Sequence, residues 1–134
     1  MSFPAPLESA LRQAEQHQSA LGDRLAQLPG VQRHDSRFEG EISLVAESSR
    51  RDAVSAVVEE QLGPPAKPAE SEVPAAFDHA ALVDAIGGIR PSQTLYVSDL
   101  GGVSLYAAYW PWGGGARFTI KLGVYVLGAP AEPL

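Results

Sequence analysis

Residues 94–127 carry the sequence TLYVSDLGGVSLYAAYWPWGGGARFTIKLGVYVL, and this stretch decides the fold. Apolar and polar side chains alternate along much of it, which is typical of β-strands because successive side chains of a strand point to opposite faces. Gly101-Gly102 and the glycine-rich residues 111–115 interrupt the alternation where hairpin turns belong. The pattern therefore predicts a three-stranded antiparallel meander within residues 93–127. Its strands are expected at 94–100, 103–110 and 116–127.

The period of two divides the predicted meander into two faces. The residues expected on the core face are Leu95, Val97, Val103, Leu105, Ala107, Tyr109, Phe118, Ile120, Leu122, Val124 and Val126. The ring-bearing and basic residues expected on the second face, or in the loop beside it, are Tyr96, Tyr106, Trp110, Trp112, Arg117, Lys121 and Tyr125. Tyrosine, tryptophan and arginine dominate binding hot spots, so these side chains form the predicted partner-binding surface. The alternative is that the chain's own N-terminal helix or proline-rich segment half-covers this face.

An N-terminal helix is predicted over residues 5–28, and Pro29-Gly30 ends it. Its apolar positions recur with gaps of four and three and form a leucine seam. The seam consists of Leu7, Leu11, Ala14, Gln18, Leu21, Leu25 and Leu28. Two structures fit such a seam: an amphipathic helix lying on the sheet, or a helix that pairs between molecules. The residues expected to mediate self-association in the second case are Leu7, Leu11, Gln18, Leu21 and Leu25, with Gln18 fixing the register.

The remaining segments complete a single α+β domain spanning residues 1–134. A strand with one apolar and one acidic face is predicted at 37–46, and helices are predicted at 50–62 and 79–87. Residues 63–76 contain four prolines and are expected to form a linker or loop, while 128–134 form a loose tail. The predicted architecture is a four-stranded, mainly antiparallel sheet, made of the N-terminal strand and the meander, with helices packed on one face.

Charge and composition restrict the function classes. The formal net charge is −6 and the chain has no cysteine. An acidic surface disfavours binding to nucleic acid or to anionic membranes, and it favours a basic protein partner. The lack of cysteine excludes disulfides and zinc–thiolate sites. Because no signal peptide or membrane-spanning apolar run is visible, we expect a cytoplasmic protein.

Catalytic motifs are largely missing from the sequence. None of His17, His34 and His79 has a second ligand at metal-binding spacing, so no metal site and no cofactor are predicted. The glycine loop at 111–115 lacks the lysine and following helix of a phosphate-binding loop. Glu39 and Glu41 share one face of the predicted strand. They would form either an acid–base pair or an acidic stripe, and an acidic stripe would assist in binding a basic partner.

These observations favour a non-enzymatic acidic interaction protein of the inhibitor, immunity-protein, adaptor or chaperone type. It would bind a protein partner through the aromatic second face, and a homodimer through that face or the leucine seam is an open alternative. A second hypothesis is a small-molecule-binding module that uses the aromatic face and the Trp112 glycine loop. The sequence leaves an enzyme assembled from distant segments as a third alternative.

Overall fold

The computed structural model describes residues 5–34, 40–68, 80–86 and 88–126. The helices are α1 (Ala5–Ala26), α2 (Arg51–Leu62), which follows a short 3-10 turn, and α3 (Ala80–Ala85). The strands are β1 (Val31–His34), β2 (Ile42–Glu47), β3 (Thr94–Asp99), β4 (Val103–Pro111) and β5 (Arg117–Val126). The α+β class is confirmed. Within the described residues, no helix has the length and apolarity needed to cross a bilayer.

The strands form one antiparallel sheet in the order β1-β2-β5-β4-β3. The predicted meander corresponds to β3, β4 and β5, but the predicted count of four strands is wrong because β1 adds a fifth at the edge. This strand has four residues, and Gln32, Arg33 and His34 are all exposed, so it carries no alternating apolar signal. Its pairing with β2 is a tertiary effect, with Val31 opposite Ala46.

The leucine seam of α1 packs on the core face of the chain's own sheet. Leu21 and Leu25 are fully buried there. Gln18 is also buried, and its Nε2 donates hydrogen bonds to the carbonyls of Gly40 at 2.7 Å and Leu122 at 2.8 Å. The seam therefore follows the first of the two alternatives, and these three side chains are used within the chain rather than between molecules. Leu7 and Leu11 are half-buried at the end of the sheet near Val103.

The assignment of β3 side chains to faces needs correction. In the observed register Tyr96 lies opposite Ala107 and Leu95 lies opposite Ala108. Residues directly opposite in an antiparallel pair share a face, so Tyr96 lies on the core face and Leu95 and Val97 lie on the second face. The cause is the tight turn at Gly101-Gly102, because a turn of that length pairs even-numbered residues of β3 with odd-numbered residues of β4.

Helix α3 packs on the second face, so the prediction that all helices lie on one face is wrong. Leu82 is buried against Leu95, Tyr106 and Ala108. The reason is the corrected phase of β3, which gives the second face apolar side chains that must be removed from water. Helices α1 and α2 cover the core face, and α3 covers the half of the second face formed by β3 and β4.

The described part of the proline-rich segment is attached to the sheet edge. Lys67 forms an isolated antiparallel bridge with Leu95 of β3. Its side chain is 1 % exposed. The ammonium group donates hydrogen bonds to the backbone carbonyls of Arg90, Pro91 and Gln93, which fixes the turn before β3. Residues 69–76 of the predicted linker and the predicted tail at 128–134 lie outside the described residues.

Candidate interaction surface

A line of aromatic and basic side chains lies on the half of the second face formed by β5 and the end of β4. We call it the tryptophan stripe, and it consists of Trp110, Trp112, Arg117, Thr119 and Lys121. Thr119 lies opposite Trp110 in the sheet, and its Oγ1 accepts a 2.9 Å hydrogen bond from Nε1 of Trp112. The guanidinium of Arg117 lies 5.9 Å from the Trp112 ring centroid, and the Lys121 ammonium lies 5.1 Å from that of Trp110. Both indoles are thus held by cation–π contacts.

Trp112 is exposed despite these contacts. It is 45 % exposed, and among the described residues it is the large hydrophobic side chain left in solvent. Its backbone is fixed, because its amide donates to the Arg117 carbonyl at 2.9 Å and its carbonyl accepts from Gly115 at 2.9 Å. Ser48 Oγ also donates to the Gly115 carbonyl at 2.6 Å. The glycine loop is therefore tied to β5 and to the end of β2.

A small groove adjoins the stripe on the β1–β2 side. It has a volume of about 120 Å³. The residues lining it are Gly30, Gln32, Val45, Ala46, Glu47 and Arg117. Glu47 lies opposite Arg117 in the register, so one of the two cations of the stripe lies beside an exposed carboxylate. The surface thus combines rings, both signs of charge and a depression that would accept one side chain.

A larger cavity lies at the other side of Trp110, between β4 and the turn that follows α3. Its volume is about 400 Å³. The residues lining it are Ile86, Gly88, Ile89, Arg90, Gln93 and Trp110. The second sequence hypothesis placed a small-molecule site at Trp112, whereas Trp112 is not among the residues that line this cavity.

Two tyrosines of the predicted partner surface are buried within the chain. Tyr96 is packed in the core under α2, where its hydroxyl donates to Glu59 Oε2 at 3.0 Å and burial raises its pKa. Tyr106 lies on the second face beneath α3, and burial, followed by the charge of Glu41, raises its pKa to about 12. Their assignment to an exposed surface is wrong: the register turns Tyr96 inward, and α3 covers Tyr106.

The other predicted partner residues of β4, β5 and the loop between them stay on the second face. Trp112 and Arg117 are exposed, and Trp110 and Lys121 are half-buried. Tyr125 is half-buried at the rim of the cluster under α3. Glu41, just before β2, is half-buried, and Glu39 lies outside the described residues. The structure thus brings the two tryptophans and the two cations together, while the tyrosines serve packing.

Sequence reasoning did not single out Thr119, Lys67 and Gln93 as site residues. Thr119 had a detectable signal, because its alternation places it between Arg117 and Lys121 on β5. Lys67 and Gln93 act through contacts between segments that lie 26 residues apart, and no local pattern reports such contacts.

The histidines and the acidic residues do not converge on one site where the structure describes them. His17 is hydrogen-bonded to Gln61 at 3.1 Å, and His34 is exposed on β1. Asp99 accepts a 2.7 Å hydrogen bond from Ser104, which is turn chemistry. His79 lies outside the described residues. Within the described chain, no three His, Asp or Glu side chains form a group suited to a metal ion.

No protein-family model matches this chain, and neither a curated protein nor a solved structure matches it.

Proposed function

We propose that this protein is a non-enzymatic interaction protein, of the inhibitor, immunity-protein, adaptor or chaperone type, that binds a protein partner through the tryptophan stripe. One observation carries the proposal: Trp112 is 45 % exposed, yet its ring is held by Thr119 and Arg117. A large ring that is already immobile loses little conformational entropy when a partner covers it, so it is suited to anchor a complex.

The surroundings of Trp112 support protein binding. Arginine and tryptophan are the residue types that most often dominate interface energetics, and here Arg117 lies over the ring of Trp112. The groove of about 120 Å³ beside Arg117 gives a partner side chain a place to insert. The chain's net charge of −6 favours encounter with a partner of net positive charge.

Site-specific photo-crosslinking tests the proposal even while the partner is unidentified. A photoreactive phenylalanine analogue is placed at position 112 and, as a matched control, at Gln16, which is exposed on α1. After irradiation in the native cell, we expect a protein cross-linked at position 112 that is not cross-linked at position 16. Products of equal identity and yield from both positions contradict the proposal, and a second copy of this chain at position 112 would assign the stripe to a homodimer.

The affinity of the captured partner then measures the contribution of the ring. Trp112→Ala should weaken binding by roughly 30-fold or more, which corresponds to about 2 kcal/mol for a hot-spot residue. Gln16→Ala should leave the dissociation constant unchanged. A folded Trp112→Ala protein that binds as tightly as the wild type would refute the assignment of this surface.

A further inference from the structure

The cavity beside Trp110 has the size of a small-molecule site. Its volume of about 400 Å³ falls within the range of ligand-binding cavities, about 300–1,000 Å³. One aromatic residue, Trp110, and two aliphatic residues, Ile86 and Ile89, are among those that line it. Two polar side chains, Arg90 and Gln93, line the same space. The cavity is open to solvent on one side, and polar groups make up a large part of its lining.

The two polar side chains both offer hydrogen-bond donors. Gln93 is 6 % exposed, and its Oε1 accepts a 2.7 Å bond from the amide of Arg90. Its Nε2 donates no hydrogen bond to the described residues and is open to solvent, because no buried side-chain N or O atom of the described residues lacks a partner. The guanidinium of Arg90 likewise forms no ion pair with a described carboxylate. The cavity therefore presents an amide donor and a positive charge, and a matching ligand brings acceptors and a negative charge.

The donors are held in place by Lys67. Its ammonium binds the backbone carbonyls of Arg90, Pro91 and Gln93, so the turn that carries both cavity donors is fixed before any ligand arrives. A buried charge is costly unless such partners satisfy it, and these three carbonyls belong to one short turn. A fixed turn means that the ligand does not have to order the site, which favours binding.

We propose that this cavity binds a small aromatic carboxylate. The carboxylate lies between the Arg90 guanidinium and Nε2 of Gln93, and the ring lies against the indole of Trp110 and the side chains of Ile86 and Ile89. A guanidinium pairs well with a carboxylate, and an indole packs well against a second ring. The site shares Trp110 with the tryptophan stripe but does not include Trp112, the residue on which the proposed function rests.

Titration of ¹⁵N-labelled protein tests the proposal, with sodium benzoate as the probe and benzyl alcohol as its neutral counterpart. We expect benzoate to shift the side-chain amide signals of Gln93 and the indole signal of Trp110 saturably at low-millimolar concentration, as a ligand of this size allows. Benzyl alcohol should shift them far less, because it lacks the charge. If benzoate leaves both signals unchanged, or if the two probes act equally, the proposal is overturned.

Variants locate the binding. Gln93→Glu keeps an oxygen that accepts from the Arg90 amide, but it replaces the Nε2 donor with a carboxylate oxygen. This negative charge repels the carboxylate of benzoate, so benzoate binding should be lost. Arg90→Gln, at an exposed position, should weaken benzoate binding roughly tenfold and should leave the fold intact. Arg12→Gln, an exposed arginine on α1, is the matched control and should bind like the wild type. Undiminished binding by folded Arg90→Gln protein would refute the site, whereas results on Trp112 leave it untouched.

Discussion

Replacing Gln18 with methionine tests how α1 is attached to the sheet. The Nε2 group of Gln18 donates to the carbonyl of Gly40 at 2.7 Å and to the carbonyl of Leu122 at 2.8 Å. Methionine has a similar length and volume but no donor, so Gln18→Met removes the two hydrogen bonds without opening a large cavity. The side chain is 6 % exposed, so little water reaches the site.

The magnitude follows from the burial of the two acceptors. Gly40 is exposed, so water replaces the lost donor there and the net loss is about 0.5–1.5 kcal/mol. The bond to Leu122 is buried, so its carbonyl is left without this donor, at a cost of about 1–3 kcal/mol. Burial of the larger apolar surface of methionine offsets part of this loss of stability. We expect the free energy of unfolding to fall by about 2 kcal/mol and the melting temperature to fall by roughly 6–8 °C.

Urea unfolding followed by circular dichroism measures the change, and sedimentation reports the oligomeric state. Gln13→Met is the matched control, because Gln13 is exposed on the same helix, and its effect should stay within about 0.5 kcal/mol. A Gln18→Met protein as stable as the wild type would refute the reasoning. A change of oligomeric state on Gln18→Met alone would show that this residue acts between molecules and would restore the self-association hypothesis.

Two further properties of the sheet are open to test. Gly123→Ala should lower the free energy of unfolding, measured by urea denaturation, by about 1–3 kcal/mol, because a methyl group at position 123 overlaps the Tyr106 ring. Gly114→Ala is the control, because the space around Gly114 is open. Equal stability of the two variants would contradict this packing. The free energy of unfolding should fall as the pH rises above about 10, because burial raises the pKa of Tyr106, Tyr96 and Tyr109 in the folded chain while unfolded tyrosine ionises near 10. Stability that stays constant between about pH 9 and 11 would contradict this.

The sequence predicts the meander well and the edge strand poorly, for different physical reasons. Strands β4 and β5 alternate over many residues and are separated by glycine-rich turns, so local chemistry is sufficient to locate them. Strand β1 has four residues and one buried side chain, Val31, so its conformation depends on pairing with β2. No local pattern can report a strand whose stabilising contacts come from distant segments, here β2 and the helix α1.

The faces of β3 were misassigned although the sequence held the necessary signal. The apolar residues Leu95 and Val97 were assigned to the core face, which would be correct if helices covered only one face of the sheet. The two-residue turn at Gly101-Gly102 instead makes Leu100 and Val103 bonded partners, with the Leu100 amide donating to the Val103 carbonyl at 2.6 Å. Loop length fixes hairpin register, so counting outward from these glycines would have placed Tyr96 opposite Ala107.

The register of β3 against β4 also determines which aromatic side chains are buried and which remain exposed. Because Leu95 and Val97 face the second side of the sheet, that half of the face requires an apolar cover, and α3 supplies it by burying Tyr106. The cover leaves Trp112 exposed over β5 and forms a cavity beside Trp110. If the phase of β3 were the opposite one, the second face would carry Tyr96 and Ser98 in place of Leu95 and Val97, and it would have less apolar surface to cover. The candidate cavity is therefore a consequence of the turn at Gly101-Gly102, because the cover that forms it answers the phase of β3.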